Sequence, residues 1–233
     1  MGASRGPNIP TDNLVFYVDY KNPKCYVNPT SYELMAGAQG STTGSATYNS
    51  AGYFSFNVDD TQYVEFSPLS PSGKTNITIS IWCRYDVEGT ANAVFSWYQP
   101  GTYKGIIIQT DNTGAKKLLY YIGTAGGETL YQNTDHLSIN TWFNLAFVYD
   151  GTQADNTDKL RLFLNGQEDT DLSYSSSFPS AFPTITSNKM EIGNGSPLNR
   201  PWEGDVALVA IWFRTLTPDE ITDIYNQMKF RYL

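Results

Sequence analysis

ITISIWCRY, at residues 77–85, is the stretch that decides the fold class, because apolar and polar side chains alternate along it. One set of alternate positions is small or branched and apolar: Ile77, Ile79, Ile81 and Cys83. The other set is Thr78, Ser80, Trp82 and Arg84. Successive side chains of a β-strand point to opposite faces of a sheet, so a period of two predicts a strand with one face in a core.

Ten further stretches share this β-branched and aromatic character and are separated by clusters of turn residues. They are 14–20, 52–58, 62–66, 93–98, 105–110, 117–123, 142–150, 160–166, 190–195 and 205–214. Strands in this number without intervening helices predict an all-β, antiparallel jelly-roll sandwich rather than a parallel α/β sheet. The residues expected between its two sheets are Ile79, Ile81, Leu145, Phe147, Leu162, Leu164, Val209 and Ile211.

One short helix is predicted near the C-terminus, over residues 218–229. Thr217 suits the N-cap, Pro218 suits the first helical position, and Glu220 completes a capping box. Apolar residues then recur at helical spacing.

Residues 1–13 precede the first strand and predict an extended arm, followed by a single domain over residues 14–233. The arm is rich in Gly and Pro and poor in apolar side chains, so it is expected to become ordered only on binding. We expect Ile9 to anchor it on a partner chain, either a sister subunit or another protein, rather than on its own domain.

The composition supports a large core and argues against highly charged macromolecular ligands. Of the 233 residues, 40% are hydrophobic and 16% charged, against about 25% charged in an average domain. The formal net charge is −8, and an acidic surface repels phosphate backbones, so we expect no nucleic-acid partner. No stretch approaches the roughly 20 apolar residues of a membrane helix, so we expect no membrane insertion.

Three groups of motifs carry a family resemblance, which extends from about residue 13 to residue 230. LVFYVD, GYFSFNVDDTQYVEF and ITISIWCRY lie in the first half. LSINTWFNLAFVYDGT and KLRLFLNGQE follow, and the chain closes with MEIGNG and PWEGDVALVAIWFRTLTPDEITDIYNQMK. Together they resemble concanavalin A-like lectin/glucanase domains of the laminin-G-like type. The start and finish are also similar to those of single-domain bacteriophage virion proteins from tail fibres and capsid surfaces.

The catalytic pattern of the family's hydrolases is incomplete in this sequence. Those enzymes carry Glu-x-Asp-x-x-Glu on one strand, and the nearest match begins at Glu203 and Asp205 but places Leu208 at the third acid. His136 is the only histidine and there is no Gly-x-Ser-x-Gly elbow, so a Ser-His-Asp triad is also disfavoured. We therefore expect that the protein is not an enzyme.

Two kinds of binding site are candidates. Sugar binding needs an aromatic ring beside polar groups, and the residues that could supply them are Trp97, Tyr98, Tyr103, Asn194, Asn199 and Trp202. The alternative for these aromatic side chains is a core or interface role. The family resemblance also implies calcium at a sheet rim, with Asn57, Asp59, Asp60, Asp150, Asp155 and Asp158 as candidate ligands. The alternative for these is turn formation through their own backbone, with no cofactor required.

The resemblance implies a non-enzymatic virion surface protein, either a capsid decoration or the head of a tail fibre. Its expected partners are other virion subunits or further copies of itself, and a host surface glycan. Two alternatives stay open: a lectin outside a virion, in an extracellular or cell-surface location, and a glycoside hydrolase with a rearranged site.

Overall fold

Two antiparallel sheets pack face to face in the computed structural model of the chain, as the strand pattern predicted. The structure describes residues 9–28, 30–57, 62–67, 70–86, 92–99, 104–110, 117–124, 128–133, 136–186, 189–195 and 200–233, and only the backbone of 124 and 128–131. No helix within these ranges is long and apolar enough to cross a membrane.

The first sheet has eight strands among the described residues. They are β1 Leu14–Asp19, β5 Thr47–Asn49, β6 Tyr53–Phe56, β8 Asn76–Tyr85, β13 Trp142–Asp150, β14 Leu160–Leu164, β15 Gln167–Asp169 and β18 Gly204–Trp212. Their order is β15-β14-β13-β8-β18-β6-β5, and β1 also pairs with β18. Residues 77–85 therefore lie in the central strand β8, between β13 and β18.

The second sheet has ten strands among the described residues. They are β2 Tyr26–Val27, β3 Thr30–Tyr32, β4 Gln39–Thr43, β7 Tyr63–Phe66, β9 Ala93–Gln99, β10 Lys104–Thr110, β11 Leu118–Thr124, β12 Glu128–Gln132, β16 Leu172–Tyr174 and β17 Met190–Ile192. Their order is β16-β12-β11-β10-β9-β17-β7-β4-β3-β2. The edge strands β15 and β16 thus belong to different sheets although only two residues separate them along the chain.

The core between the sheets contains the side chains that alternation predicted. Ile79, Ile81, Leu145, Phe147, Leu162, Val209 and Ile211 are buried there. Leu164 is the exception, because it lies at the end of β14 and is half-buried against this core. Cys83 is a buried free cysteine in the same core.

The predicted helix is present as α2, Pro218–Met228, and it covers the outer face of the first sheet. The Thr217 side chain accepts a hydrogen bond from the Glu220 backbone, which completes the capping box. The Tyr225 ring stacks on Trp82 with ring centroids 5.7 Å apart. Trp82 is therefore buried on the side of β8 that faces away from the inter-sheet core.

The expectation that the N-terminal arm avoids its own domain is wrong for residues 9–13. Ile9 packs against the cluster beneath α2, and the Trp212 indole N–H donates to the Pro10 carbonyl at 2.7 Å. The Arg214 guanidinium donates to the Asp12 carbonyl at 3.0 Å. An apolar side chain and two backbone acceptors therefore join this segment to its own domain at Trp212 and Arg214. Residues 1–8 lie outside the described residues.

Candidate functional site

The first aromatic cluster predicted to bind sugar is divided between the two faces of β9. Trp97 has no exposed surface and lies between the sheets, so in this structure it cannot stack on a sugar. Tyr98 lies on the opposite face with Ile107 and is 6% exposed. Tyr103 lies outside the described residues. This cluster therefore presents no open aromatic surface among the residues that the structure describes.

Two members of the second predicted sugar cluster, Asn194 and Trp202, lie in the described part of the chain. Trp202 is fully buried, and its indole N–H donates to the Arg84 carbonyl at 3.1 Å, which corrects its assignment as a stacking surface. The Asn194 side-chain oxygen accepts from the Gly195 and Arg200 backbone N–H groups at 2.7 and 3.2 Å. Asn199 lies outside the described residues. Trp202 and Asn194 thus hold the backbone of Arg84, Gly195 and Arg200.

Four of the six predicted calcium ligands lie in the described part of the chain: Asn57, Asp150, Asp155 and Asp158. In the described residues, no group of three or more His, Cys, Asp or Glu is placed to hold a metal ion. The Asp150 carboxylate accepts from Thr152 and Gln153, and these hydrogen bonds outweigh the opposing effect of burial and lower its pKa. Asp155 is the N-cap residue of a short helix, α1 Asn156–Lys159, in which Asp158 occupies the first turn.

At the other predicted acidic loop, Asn57 forms two hydrogen bonds with Gln62. Asp59 and Asp60 lie outside the described residues. The turn-forming alternative therefore describes Asp150, which accepts from the Thr152 backbone N–H, whereas Asn57 is bonded to the Gln62 side chain.

Asp205 of the Glu-x-Asp pattern lies on β18 and forms an ion pair. Asp205 is 2% exposed, pairs with Arg84, and accepts a hydrogen bond from the Ser55 hydroxyl at 2.6 Å. Burial raises the pKa of its carboxyl group. Leu208, at the position of the third acid, is buried in the cluster beneath α2. Asp205 therefore joins β18 to β6 and β8 at this end of the sheet.

An open cleft lies at the corner where the edges of the two sheets meet. Its volume is about 390 Å³. The described residues that line it come from α1, β14, β15, the β15–β16 connection and β16: Thr157, Asp158, Arg161, Glu168, Asp169, Thr170, Leu172 and Tyr174. We call it the edge cleft. Its lining combines carboxylates, a guanidinium, hydroxyls and one aromatic ring. This combination of polar groups with an aromatic ring is what sugar binding needs.

A hydrogen-bond relay fixes the floor of the edge cleft. The Gln132 side chain accepts from the Leu118 backbone N–H at 2.7 Å and donates to the Asp169 carboxylate at 2.7 Å. The other Asp169 oxygen accepts from the Asp171 backbone N–H at 3.0 Å. Because Gln132 belongs to the second sheet and Asp169 to the first, this relay holds the two sheet edges in a fixed relation.

Arg161 and Tyr174 form the walls. The Arg161 guanidinium lies 3.8 Å from the Glu168 carboxylate and 5.6 Å from the centre of the Phe163 ring. The Tyr174 hydroxyl donates to the Leu160 carbonyl at 3.2 Å, which ties β16 to β14. Both side chains are half-buried, so each is held in position while part of its surface remains accessible.

The field inside the edge cleft is negative. Partial burial raises the pKa of Tyr174, and Glu168, Asp158 and Asp169 raise it further through their negative charges. A second cleft of about 320 Å³ adjoins the first and shares Glu168, Asp169 and Thr170 with it. His136 lines this second cleft, with its Nε2 atom 3.7 Å from the Asp169 carboxylate. The acidic side chains at the end of β15, Glu168 and Asp169, therefore line two neighbouring clefts.

Comparison with known proteins supports a lectin-type fold. The family model described as the concanavalin A-like lectin/glucanases superfamily matches residues 58–222. No curated protein matches the sequence. The solved structures with similar folds include receptor-binding domains of botulinum neurotoxins.

The match to the binding domain of serotype D/C has a TM-score of 0.68 at 12% identity. It covers 93% of this chain and 52% of the neurotoxin chain. The match to the serotype G binding domain has a TM-score of 0.66 at 13% identity. It covers 91% of this chain and 50% of the neurotoxin chain. A third similar structure is the serotype D ligand-binding domain in complex with N-acetylneuraminic acid. This match has a TM-score of 0.68 at 11% identity and covers 92% of this chain and 51% of the neurotoxin chain. This chain therefore spans about half the length of those solved chains, and at such identities the similarity concerns the fold. With the matching family model, the motifs and the sandwich, it leads to one conclusion: the chain belongs to the concanavalin A-like lectin/glucanase superfamily.

Proposed function

We propose that this protein is a non-catalytic, glycan-binding surface domain and that the edge cleft is its binding site. The observation that carries the proposal is the cleft of about 390 Å³ that Arg161, Glu168 and Tyr174 line together. Sugar hydroxyls both donate and accept hydrogen bonds, so a fixed pair of donor and acceptor groups beside an apolar ring suits them.

The size and rigidity of the cleft support the same proposal. Ligand pockets commonly have volumes of roughly 300–1,000 Å³, and the edge cleft lies at the small end of that range. The Gln132–Asp169 hydrogen bond and the Tyr174–Leu160 hydrogen bond hold its floor and wall. Groups that are already held in place lose less conformational freedom when a ligand binds.

The comparisons add independent support for binding rather than catalysis. The similar structures are receptor-binding domains, and one of them is in complex with N-acetylneuraminic acid. In this chain Leu208 replaces the third acid of the hydrolase pattern, and Asp205 is committed to Arg84 and Ser55. We infer that no glycosidase activity depends on Glu203 or Asp205.

We further propose that the domain is displayed on a bacteriophage virion, as a capsid decoration or a tail-fibre head, with other virion subunits as partners. The support for this placement is the resemblance of the first and last motifs to those of single-domain virion proteins. Labelling of purified particles with an antibody against the domain tests it. Surface labelling is expected, and particles that lack the protein would refute the placement.

The test of glycan binding is a glycan array probed with the full chain and two variants. Tyr174→Ala removes the wall of the edge cleft, and Tyr48→Ala is the matched control. Tyr48 is also half-buried, and its hydroxyl donates to the Tyr20 carbonyl at the same distance of 3.2 Å. We expect the Tyr174 variant to lose at least about tenfold in affinity for the best glycan while the Tyr48 variant retains it. Equal binding by both variants would place the site elsewhere, and an array without any bound glycan would refute the proposed function.

A further inference from the structure

The charge of the edge cleft restricts the kind of glycan that fits it. Three carboxylates line the cleft, from Asp158, Glu168 and Asp169, against the single guanidinium of Arg161. The Asp169 side chain is 6% exposed and already accepts hydrogen bonds from Gln132 and the Asp171 backbone N–H, with His136 3.7 Å away. Asp158 and Glu168 are exposed and therefore face whatever enters.

Arg161 is not available as an isolated receptor for an anion. Its guanidinium already lies 3.8 Å from the Glu168 carboxylate and over the Phe163 ring. A sugar carboxylate that approached Arg161 would compete with Glu168 and would also face Asp158. The whole chain adds to this repulsion, because its formal net charge is −8.

A protonated amine on a sugar would be attracted by the same carboxylates that repel a sugar carboxylate. It would lie among carboxylate oxygens that accept hydrogen bonds, while the sugar hydroxyls would contact Thr157, Thr170 and Arg161 at the cleft wall. An N-acetylated amine has no charge and loses this attraction, although it keeps the hydroxyl contacts.

We propose that the edge cleft selects glycans that carry a free, protonated amino group, such as 2-amino-2-deoxyhexoses, over their N-acetylated forms and over N-acetylneuraminic acid. This inference rests on the proposed glycan-binding function and specifies its ligand class. It predicts a preference opposite in charge to the ligand seen with the serotype D neurotoxin domain.

The experiment compares three probes by calorimetry at pH 6 and low salt with the full chain. The probes are a glucosamine tetrasaccharide, the N-acetylglucosamine tetrasaccharide and sialyllactose. Exposed ion pairs contribute roughly 0.2–1 kcal/mol each. With Asp158 and Glu168 both facing the amine, we expect the amine probe to bind about two- to thirtyfold more tightly than the N-acetylated probe. The preference should narrow in 0.5 M NaCl, because salt screens exposed charges.

Glu168→Gln identifies the responsible group, and Glu65→Gln is its matched control. Glu65 is also a partly exposed carboxylate beside one cation, since Lys189 lies 2.8 Å away, but it is on β7. We expect the Glu168 variant to lose most of the ratio between its affinities for the amine and for the N-acetylated probe, and the Glu65 variant to bind all three probes as wild type does.

The outcomes separate this inference from the function on which it rests. Binding of sialyllactose or of the N-acetylated probe as tightly as the amine would overturn the charge selectivity and leave glycan binding in place. An equal loss of preference in both variants would assign the selectivity to net charge rather than to the cleft and would also overturn it. The absence of binding by all three probes, together with an empty glycan array, would overturn both proposals.

Discussion

The side-chain nitrogen of Gln132 lies 2.7 Å from the carboxylate of Asp169, and this hydrogen bond joins the edges of the two sheets. Both side chains are almost completely buried, at 2% for Gln132 and 6% for the Asp169 side chain. Gln132 is further oriented by the Leu118 backbone N–H. Asp169 lines the edge cleft, so the geometry of the cleft depends on this polar contact between the two sheets.

Gln132→Ala is expected to destabilise the fold and weaken ligand binding together. It leaves the Leu118 N–H and one Asp169 oxygen buried without their present partner, and each such group costs about 1–3 kcal/mol. Urea denaturation measures the free energy of unfolding. Gln153→Ala, at an exposed glutamine that donates to Asp150, is the control and should change it by less than about 0.5 kcal/mol. Equal stability of the two variants would contradict the role of Gln132.

Deletion of residues 1–12 is expected to lower the stability of the domain. The deletion removes the Pro10 carbonyl that accepts from the buried Trp212 indole and removes the apolar contact of Ile9. An unsatisfied buried donor costs about 1–3 kcal/mol, which thermal denaturation resolves easily. Deletion of residues 2–8 is the control, because it leaves both contacts in place. If the two truncated proteins melted at the same temperature, the segment 9–13 would not stabilise the fold.

Acid is expected to weaken the attachment of α2 through Glu220. The Arg214 guanidinium holds the pKa of this carboxyl at about 2, with further hydrogen bonds from Thr217. The pKa of a glutamate in an unfolded chain is about 4.3, so the folded state favours the ionised form. The stabilisation is complete above that value and is lost as the pH falls from about 4.5 towards 2.

Glu220→Gln tests this pH dependence. The variant should be less stable than wild type at pH 7, and the difference should shrink progressively below pH 4.5. A difference that stayed constant down to pH 2.5 would show that the Glu220 charge does not stabilise the helix.

Chelation of divalent cations is expected to leave stability and glycan binding unchanged. The Asp150 oxygens already accept hydrogen bonds from Thr152 and Gln153, and in the described part of the chain no acidic group is arranged as a metal site. Melting temperatures measured with EDTA and with excess Ca²⁺ should agree within error. A rise of several degrees in Ca²⁺ would indicate a site, with Asp59 and Asp60 as the first residues to substitute.

The long strands could be predicted from the sequence, because alternation alone reports which face is buried. β13 was predicted with its observed limits, and β8 to within one residue. The short edge strands could not be predicted in this way. β15 reads Gln-Glu-Asp and β16 reads Leu-Ser-Tyr, so neither is long or apolar enough to show a period. They form strands because the neighbouring strands offer unpaired backbone groups.

The proposed site cannot be predicted from the sequence for the same reason. Trp97 and Trp202 are aromatic residues near loops and so become sugar-binding candidates from the sequence, but both are fully buried. The orientation of Trp97 depends on its pairing with Ile106 and Met190 on neighbouring strands, which no local pattern records. Tyr174 and Arg161 become neighbours only when β16 and β14 meet at the sandwich edge. The one local signal was the run Glu168, Asp169 and Asp171, which the sequence shows as an acidic loop.

The central claim, that the edge cleft binds a glycan, is tested most directly by the crystal structure of the full chain with the best glycan from the array. The account predicts that a sugar ring lies against Tyr174 with its polar groups within hydrogen-bond distance of Arg161 and Glu168. A sugar bound instead on the outer face of the second sheet, near Tyr98 and Arg200, would contradict it.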